Sequence, residues 1–541
     1  MQDANTGCWL GAIGTWFHGD GLAPGDEARL LERYLQVGAL RLAKELAGFF
    51  CIVIGDARSK EVIAITDVAG SRHAFLRPLP NAIALSGSSL LLAALAERNL
   101  DATACQEFIH TGIVYQDRTI YKEVRKLPPA SVLWFADGRL KKQEAYWSCS
   151  QLEPESLDDD TAVNRLWESL TQAAQQITRG FPRLVCDLTG GYDSRAAVAA
   201  FLSLGEKFST TVSGPARSPD VTVSQCLAKV LGLPHLHHES RQSSFAAVKQ
   251  ALWFTDGEYD LVDYAAILGV HSTLSQKFDI SINGSFGEIA RGYWWELLVP
   301  RVGARRKLDS AKLARLRYAP GNPTTTLFRP EIRLELVPHL TRVVEETNAG
   351  LGSTPNTFQM DHAYLRMRMQ RWQGRIASGT DQLWPCLSIF IFRPILEVML
   401  QARSSLRQRS LMVRRMLARF QPALAAFPLE HGYPALPANW TNFYRFWPLF
   451  GYYGGKVLQR AGLKRQAQGE VTAPRMMLWQ ESEVRELLQP SAMRTSEWLD
   501  EHGLQNFLQE SQQPGFSRDG EWQRLLSLEY TLQELQGLQR G

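Results

Sequence analysis

Short apolar runs broken by polar turns fill the first 150 residues. Residues 49–54 are continuously apolar, as in a buried strand, and residues 61–66 follow after a polar turn, as in a hairpin. Residues 82–86 and 131–135 read as further strands, and residues 89–98 as a short helix. The pattern predicts a mixed, mostly antiparallel domain over residues 1–150. A polar, acidic stretch at 149–160 marks its end. The grammar then changes. Residues 162–178 are helix-like, 183–188 form an apolar strand, a Gly-Gly turn follows, and 194–204 return to a helical pattern. Residues 208–213 and 221–231 repeat strand and helix. Alternating strands and helices predict βαβ units and a doubly wound parallel sheet.

Beyond about residue 300 the chain reads as mostly helical, with an Arg-rich run at 365–371. The expected division is 1–150, 160–435 and a helical extension at 436–541 packed on the second domain. Residues 440–456 are dense in aromatics, including Trp440, Phe443, Tyr444, Phe446 and Trp447. Aromatics most often serve packing, so this segment is expected in a core, with a partner surface or an interfacial membrane contact as alternatives.

Composition narrows the class. A length of 541 residues implies two or three domains at about 150 residues each. Hydrophobic residues are 45% and charged residues 21%, which excludes a largely disordered chain. The net charge is 59 − 55 = +4, giving no reason to expect nucleic-acid binding. Cys8, Cys51, Cys105, Cys149, Cys186, Cys226 and Cys386 are scattered and odd in number, so neither a zinc site nor a disulfide framework is expected. No signal peptide and no run of 18 apolar residues stands out; the expectation is a cytoplasmic protein without a membrane span.

The sharpest local signal is Leu188, Thr189, Gly190, Gly191, Tyr192, Asp193, Ser194, lying between an apolar strand and a helix. Unpaired amides and the positive dipole end of a helix N-terminus suit an anion, and two glycines let the backbone approach it closely. Thr189 and Ser194 add hydroxyls. Asp193 would repel phosphates unless a cation such as Mg²⁺ intervened. No Gly-Lys-Ser/Thr closes the loop, so it is not a Walker A motif. The Gly454, Gly455, Lys456 triplet is followed by valine and lies among aromatics, which argues against it too.

At this loop the chain resembles the asparagine synthetase family, whose pyrophosphatase loop reads Ser-Gly-Gly-x-Asp-Ser; Thr189 replaces the first serine and keeps the hydroxyl. Ser218, Pro219, Asp220 and Val221 are similar to the segment after the family's next strand, and Leu231 to His235 continue it. Asn283, Gly284, Ser285, Phe286, Gly287 and Glu288, continued by Ile289, Ala290, Arg291, Gly292 and Tyr293, resemble a later acidic loop. Upstream, Leu127, Pro128, Pro129, Ala130, Tyr146, Trp147, Gly48, Phe50, Asp67 and Gly70 look like pieces of the glutaminase-type domain. The resemblance spans about residues 10–430, motifs in family order.

It implies an α/β protein: an Ntn-hydrolase-like αββα sandwich, then an ATP-pyrophosphatase doubly wound sheet with a helical C-terminal part. It implies ATP and Mg²⁺, with Leu188 through Ser194, Ser213 and Gly284 on the nucleotide and Asp193 and Glu288 on the metal. One departure narrows the activity. The family's glutaminase nucleophile is a cysteine following the initiator Met, but residue 2 is Gln2, and aligning Gly11 and Gly14 puts Leu10 at that position. Cys8 has the wrong spacing and is assigned a structural role. Glutamine hydrolysis is not expected.

Branches similar in this respect are the β-lactam synthetases and the lasso-peptide macrolactam synthetases, where the amine belongs to the substrate. The implied reaction is adenylation of a carboxylate, Asp or Glu side chains foremost, then amine attack with release of AMP. Tyr264 and Glu296 are the candidate base pair. No catalytic lysine can be placed; Arg407, Arg409, Arg414 and Arg415 occupy the corresponding stretch. A peptide or small-molecule substrate is implied, and in the lasso case a leader-peptide protease or precursor-binding partner. The alternatives are an ammonia-using amidotransferase acting on a metabolite or sugar acid, and a catalytically silent scaffold.

Overall fold

The structure is a computed structural model describing residues 1–97, 99–239, 244–320, 326–449 and 474–540. The first half holds β1 (Trp9–His18), β2 (Leu46–Asp56), β3 (Glu61–Thr66), β4 (Phe75–Leu79), β5 (Ala82–Ser86), β6 (Arg125–Lys126), β7 (Ser131–Ala136) and β8 (Arg139–Ala145). An antiparallel sheet runs β1-β2-β3-β7-β8, and a smaller one runs β5-β4-β6. Side chains alternate between faces of a strand, and the alternation sets the layers. Cys51 and Val53 of β2 meet Ala64, Leu133 and Leu76 between the two sheets. Ile52 and Ile54 point the other way, toward Leu30 and Leu42 of the helices Glu27–Val37 and Ala39–Glu45. Phe75 of β4 packs with Leu90 of the helix Ser89–Ala94 on the far face of the small sheet. Helix, sheet, sheet, helix is the result.

The second half holds β9 (Leu184–Asp187), β10 (Ser209–Ser213), β11 (His235–His238), β12 (Ile280–Asn283) and β13 (Cys386–Ser388), all parallel, in the order β11-β10-β9-β12-β13. Leu184 and Cys186 face the large core shared with the helices Asp159–Gly180 and Tyr192–Leu202, while Val185 faces Leu274 and Trp384. Both faces are therefore covered, as a parallel sheet requires. The chain winds outward from β9 to β11, then returns to β12 on the other side of β9. That reversal is a topological switch point, the crevice where open α/β sheets bind ligands.

The halves are joined by buried polar contacts. Arg72 pairs with Asp381 at 3.2 Å, and the Thr15 hydroxyl donates to Asp381 at 3.2 Å. The C-terminal helix Asp519–Arg540 does not pack on the second half alone, as the sequence suggested. Its leucines share a core with Leu90 and Phe108 of the first half and with Tyr264 and Leu268 of the second. The aromatic segment also departs from expectation. Trp440 is fully exposed, Phe443, Tyr444 and Trp447 are exposed, and Phe446 is buried. In the short turn Phe443–Phe446 only Phe446 reaches the interior. Residues 450–456, including the Gly454 triplet, lie outside the described residues. Among the described residues no helix is long and apolar enough to cross a membrane.

Candidate functional site

The loop leaving β9 is held by its own hydroxyls. Leu188 is core, its amide donating to the Thr211 carbonyl at 2.8 Å. The Thr189 amide donates to the Ser194 hydroxyl at 3.0 Å, and the two hydroxyl oxygens are 3.0 Å apart. The Gly191 amide donates to the Thr189 hydroxyl at 3.2 Å. Gly191 caps the helix Tyr192–Leu202 without a side-chain hydrogen bond, so its first turn presents free donors. The Gly190 amide donates to Asp220 Oδ1 at 2.8 Å. A carboxylate oxygen thus sits on the very amide the sequence assigned to an anion.

Glu430 covers the loop from above. Its amide donates to the Gly190 carbonyl at 3.1 Å, and a Cβ on Gly190 would lie 2.6 Å from the Cβ of Glu430. The close approach that glycine permits here is to Glu430. Arg195 holds the covering segment, donating to the carbonyls of Leu424, Phe427 and Pro428.

The loop leaving β12 packs directly against the first. A Cβ on Gly284 would lie 2.7 Å from the Ser194 amide, and one on Gly287 would lie 2.8 Å from the Asp193 Cβ. Asp193 and Arg291 form a two-point pair, at 2.7 and 2.5 Å. Burial raises the Asp193 carboxyl, and Arg291 opposes the rise. Glu288 is pushed up to about 7, first by burial and then by the charge of Asp193. Its Oε2 is buried without a hydrogen-bond partner. A buried carboxyl raised by the charge of a second one, with one oxygen left without a hydrogen bond, suits a cation. Among the described residues no three His, Cys, Asp or Glu side chains gather as a complete metal site, so phosphate oxygens would have to complete the shell. Asp187, at the end of β9, is also pushed up to about 7 by burial.

Cationic and aromatic groups complete the surroundings. Arg291 lies 5.8 Å from the Tyr192 ring centre and Arg414 lies 5.5 Å from it. The Tyr364 ring packs 5.0 Å from Trp294, and its hydroxyl faces Glu288.

Several sequence candidates lie elsewhere. Ser213 is exposed at the carboxyl end of β10, beside the loop strand. Tyr264 is fully buried, its hydroxyl 3.3 Å from that of Thr380. Glu296 is exposed and pairs with Arg317. No hydrogen bond joins Tyr264 to Glu296 among the described residues, and the two sit in separate surroundings. Arg407 is buried against Asp361 at 2.6 Å, and Arg415 pairs with Asp159 at 3.0 Å; of the four arginines, Arg414 approaches the loop. Cys8 is buried, its thiol 3.4 Å from Asp56. Asp220 and Arg291 lie within sequence motifs that assign them no role, and nothing in the sequence points to Tyr364 or Glu430. A charge beside a glycine loop was the available signal for the first two; the others arrive from over 70 residues away with no local mark.

Comparison with known proteins adds one family. Residues 22–147 match a glutamine amidotransferase domain. That range begins after β1 and ends at Trp147, so it covers most of the antiparallel half and none of the parallel sheet. No curated protein matches the chain. Among solved structures, glutamine phosphoribosylpyrophosphate (PRPP) amidotransferase from B. subtilis, complexed with ADP and GMP, is similar at 11% identity over 44% of this chain and 46% of that one, with a TM-score of 0.17. This chain therefore spans less than half of that protein's length, and so loose a superposition carries no mechanistic weight.

Proposed function

We propose that this protein is an ATP-dependent, AMP-forming amide ligase whose amidotransferase-like half is a scaffold. One observation carries the reading: the loops after β9 and β12 bring Asp193 and Glu288 into one buried electrostatic unit at the switch point of the sheet. In the proposed reaction a substrate carboxylate oxygen bonds to the α-phosphorus of ATP and pyrophosphate leaves. A substrate amine then attacks the acyl carbon, AMP leaves with the bonding pair, and the amine proton passes to a base. Thr189 and Ser194 hydroxyls and the helix amides would bind phosphate oxygens, and Arg291 and Arg414 would balance their charge. Asp193 and Glu288 would hold Mg²⁺, which supplies charge neutralisation at the phosphates. For phosphate to reach the Gly190 amide, Asp220 must give up its place there.

The favoured substrate is a peptide with an Asp or Glu side chain to be joined to an amine of the same peptide, as in lasso-peptide macrolactam formation. Ammonia transfer to a small acid is the alternative within the ligase class. A silent scaffold is the second reading, favoured by Asp220 on the Gly190 amide and by Arg291 on Asp193. Pyrophosphate release separates them. A precursor peptide, or aspartate with ammonia, should drive release in the native protein, and Asp193→Ala should abolish it. No release with either substrate class supports the scaffold.

A further inference from the structure

A cavity of about 630 Å³ opens between the two halves, away from the strand-end loops. The first half lines it with Pro129 and Trp147, and the second with Arg366, Met367 and Arg371. The three second-half residues belong to a π-helical segment, Tyr364–Gln373. This register bonds i to i+5, so residues five apart stack on one face; in an α-helix they would diverge by about 140°. The unusual register is what turns Arg366 and Arg371 to a common side. Such segments gather at functional sites.

Among the described residues neither arginine forms a direct ion pair. Arg371 is 9% exposed, and its Nε and Nη1 are buried without a hydrogen-bond partner. The acids around it are already engaged. Asp117 is exposed at the rim and pairs with Arg125 at 3.6 Å. Glu346, also exposed, accepts from Gln116 at 2.5 Å. Glu258, buried, is held by Lys126 at 3.2 Å. Burial, then the neighbouring Arg366, pull the Arg371 guanidinium down to about 9, and the charges of Asp117 and Glu258 offset this only in part. Such a group is retained where something anionic meets it.

We infer that this cavity binds a small organic anion, its carboxylate or phosphate head against Arg366 and Arg371 and its apolar body against Trp147, Pro129 and Met367. The planar guanidinium matches either head. The volume falls in the range of small-molecule sites, roughly 300–1,000 Å³. The site is independent of the ligase reading and of the loop after β9.

The test uses the full chain with phenyl phosphate, phenylacetate and inorganic phosphate, each followed by calorimetry and thermal melting. Saturable binding and a raised melting temperature are expected with one of the aromatic anions, and which one tells phosphate from carboxylate. Arg366→Met and Arg371→Met should each weaken that binding by about tenfold or more. Without any probe, Arg371→Met should melt at or above the native temperature, since it removes a buried charge that has no partner. The proposal is overturned if none of the three probes binds saturably, or if binding is unchanged in both variants. It is equally overturned if Arg371→Met melts lower than the native protein without a probe, because the arginine is then structural.

Discussion

Arg407 and Arg371 are both buried arginines, and they lie in opposite electrostatic settings. Arg407 sits under the strand-end loops with Asp361 at 2.6 Å, donates to the Ile289 carbonyl at 3.1 Å and lies 4.5 Å from the Trp295 ring centre. Arg371 faces the cavity between the halves with two of its nitrogens lacking a hydrogen-bond partner, and the nearby acids Asp117 and Glu258 are paired with other cations. The difference teaches how to separate a charge that holds a fold from a charge that awaits a ligand. The first is surrounded by groups that need it; the second would be better replaced by an apolar side chain.

The largest effect belongs to Asp193. Asp193→Ala should lower any ATP-dependent pyrophosphate release by about 100-fold or more. It should also strand Arg291 in a mostly buried place, costing about 3–5 kcal/mol of stability in chemical denaturation. Asp193→Ala combined with Arg291→Met separates the two losses: no charge is left stranded, so stability should recover toward the native value while activity stays lost. Arg407→Met comes next, at about 3–5 kcal/mol, because it leaves Asp361 buried without its partner. Unfolding curves that coincide for Arg407→Met and the native protein would erase the contrast with Arg371.

Gly284→Ala should cost about 1–3 kcal/mol. The added methyl would meet the Ser194 amide, which is main chain and has little room to yield. Melting that is unchanged would show that the two loops are not packed as tightly as their contact implies.

The sequence revealed what local pattern can encode. Short apolar runs bounded by polar turns announced β2, β3 and β7, and strand–helix alternation over residues 183–231 announced β9, β10 and a parallel sheet. The Gly190–Gly191 turn was readable because glycine, hydroxyl and acid lie in seven consecutive residues. Asp193 and Glu288 meeting was an expectation of motif order rather than of pattern. What stayed hidden comes from distant segments. Glu430 reaches Gly190 across some 240 residues of sequence, and no periodicity marks it. The arginines at 366 and 371 read only as members of an Arg-rich helical run, because the π register that turns them together depends on surrounding packing and not on a local signal. The exposure of Trp440 and Tyr444 was only an alternative to a core placement, since composition cannot say which way a short turn is aimed.

The gentlest test exploits titration at the loop cluster. Glu288 has a folded value near 7 against an ordinary value of 4.5, raised by burial and by Asp193. An acid raised on folding favours the native state while protonated. Its contribution is full below the ordinary value and is lost as pH rises through about 7. Glu288→Gln cannot titrate, so it should keep what the native protein loses. Asp187, raised by burial alone, titrates in both proteins and cancels in the difference. The melting temperature of Glu288→Gln minus that of the native protein should therefore climb between pH 5 and pH 7.5. Added Mg²⁺ should shrink the gap at the upper end by restoring a partner to the ionised carboxyls. A gap that stays flat with pH would mean that Glu288 titrates as an ordinary solvated acid. The strand-end cluster would then lose the electrostatic coupling that sets it apart from the cavity.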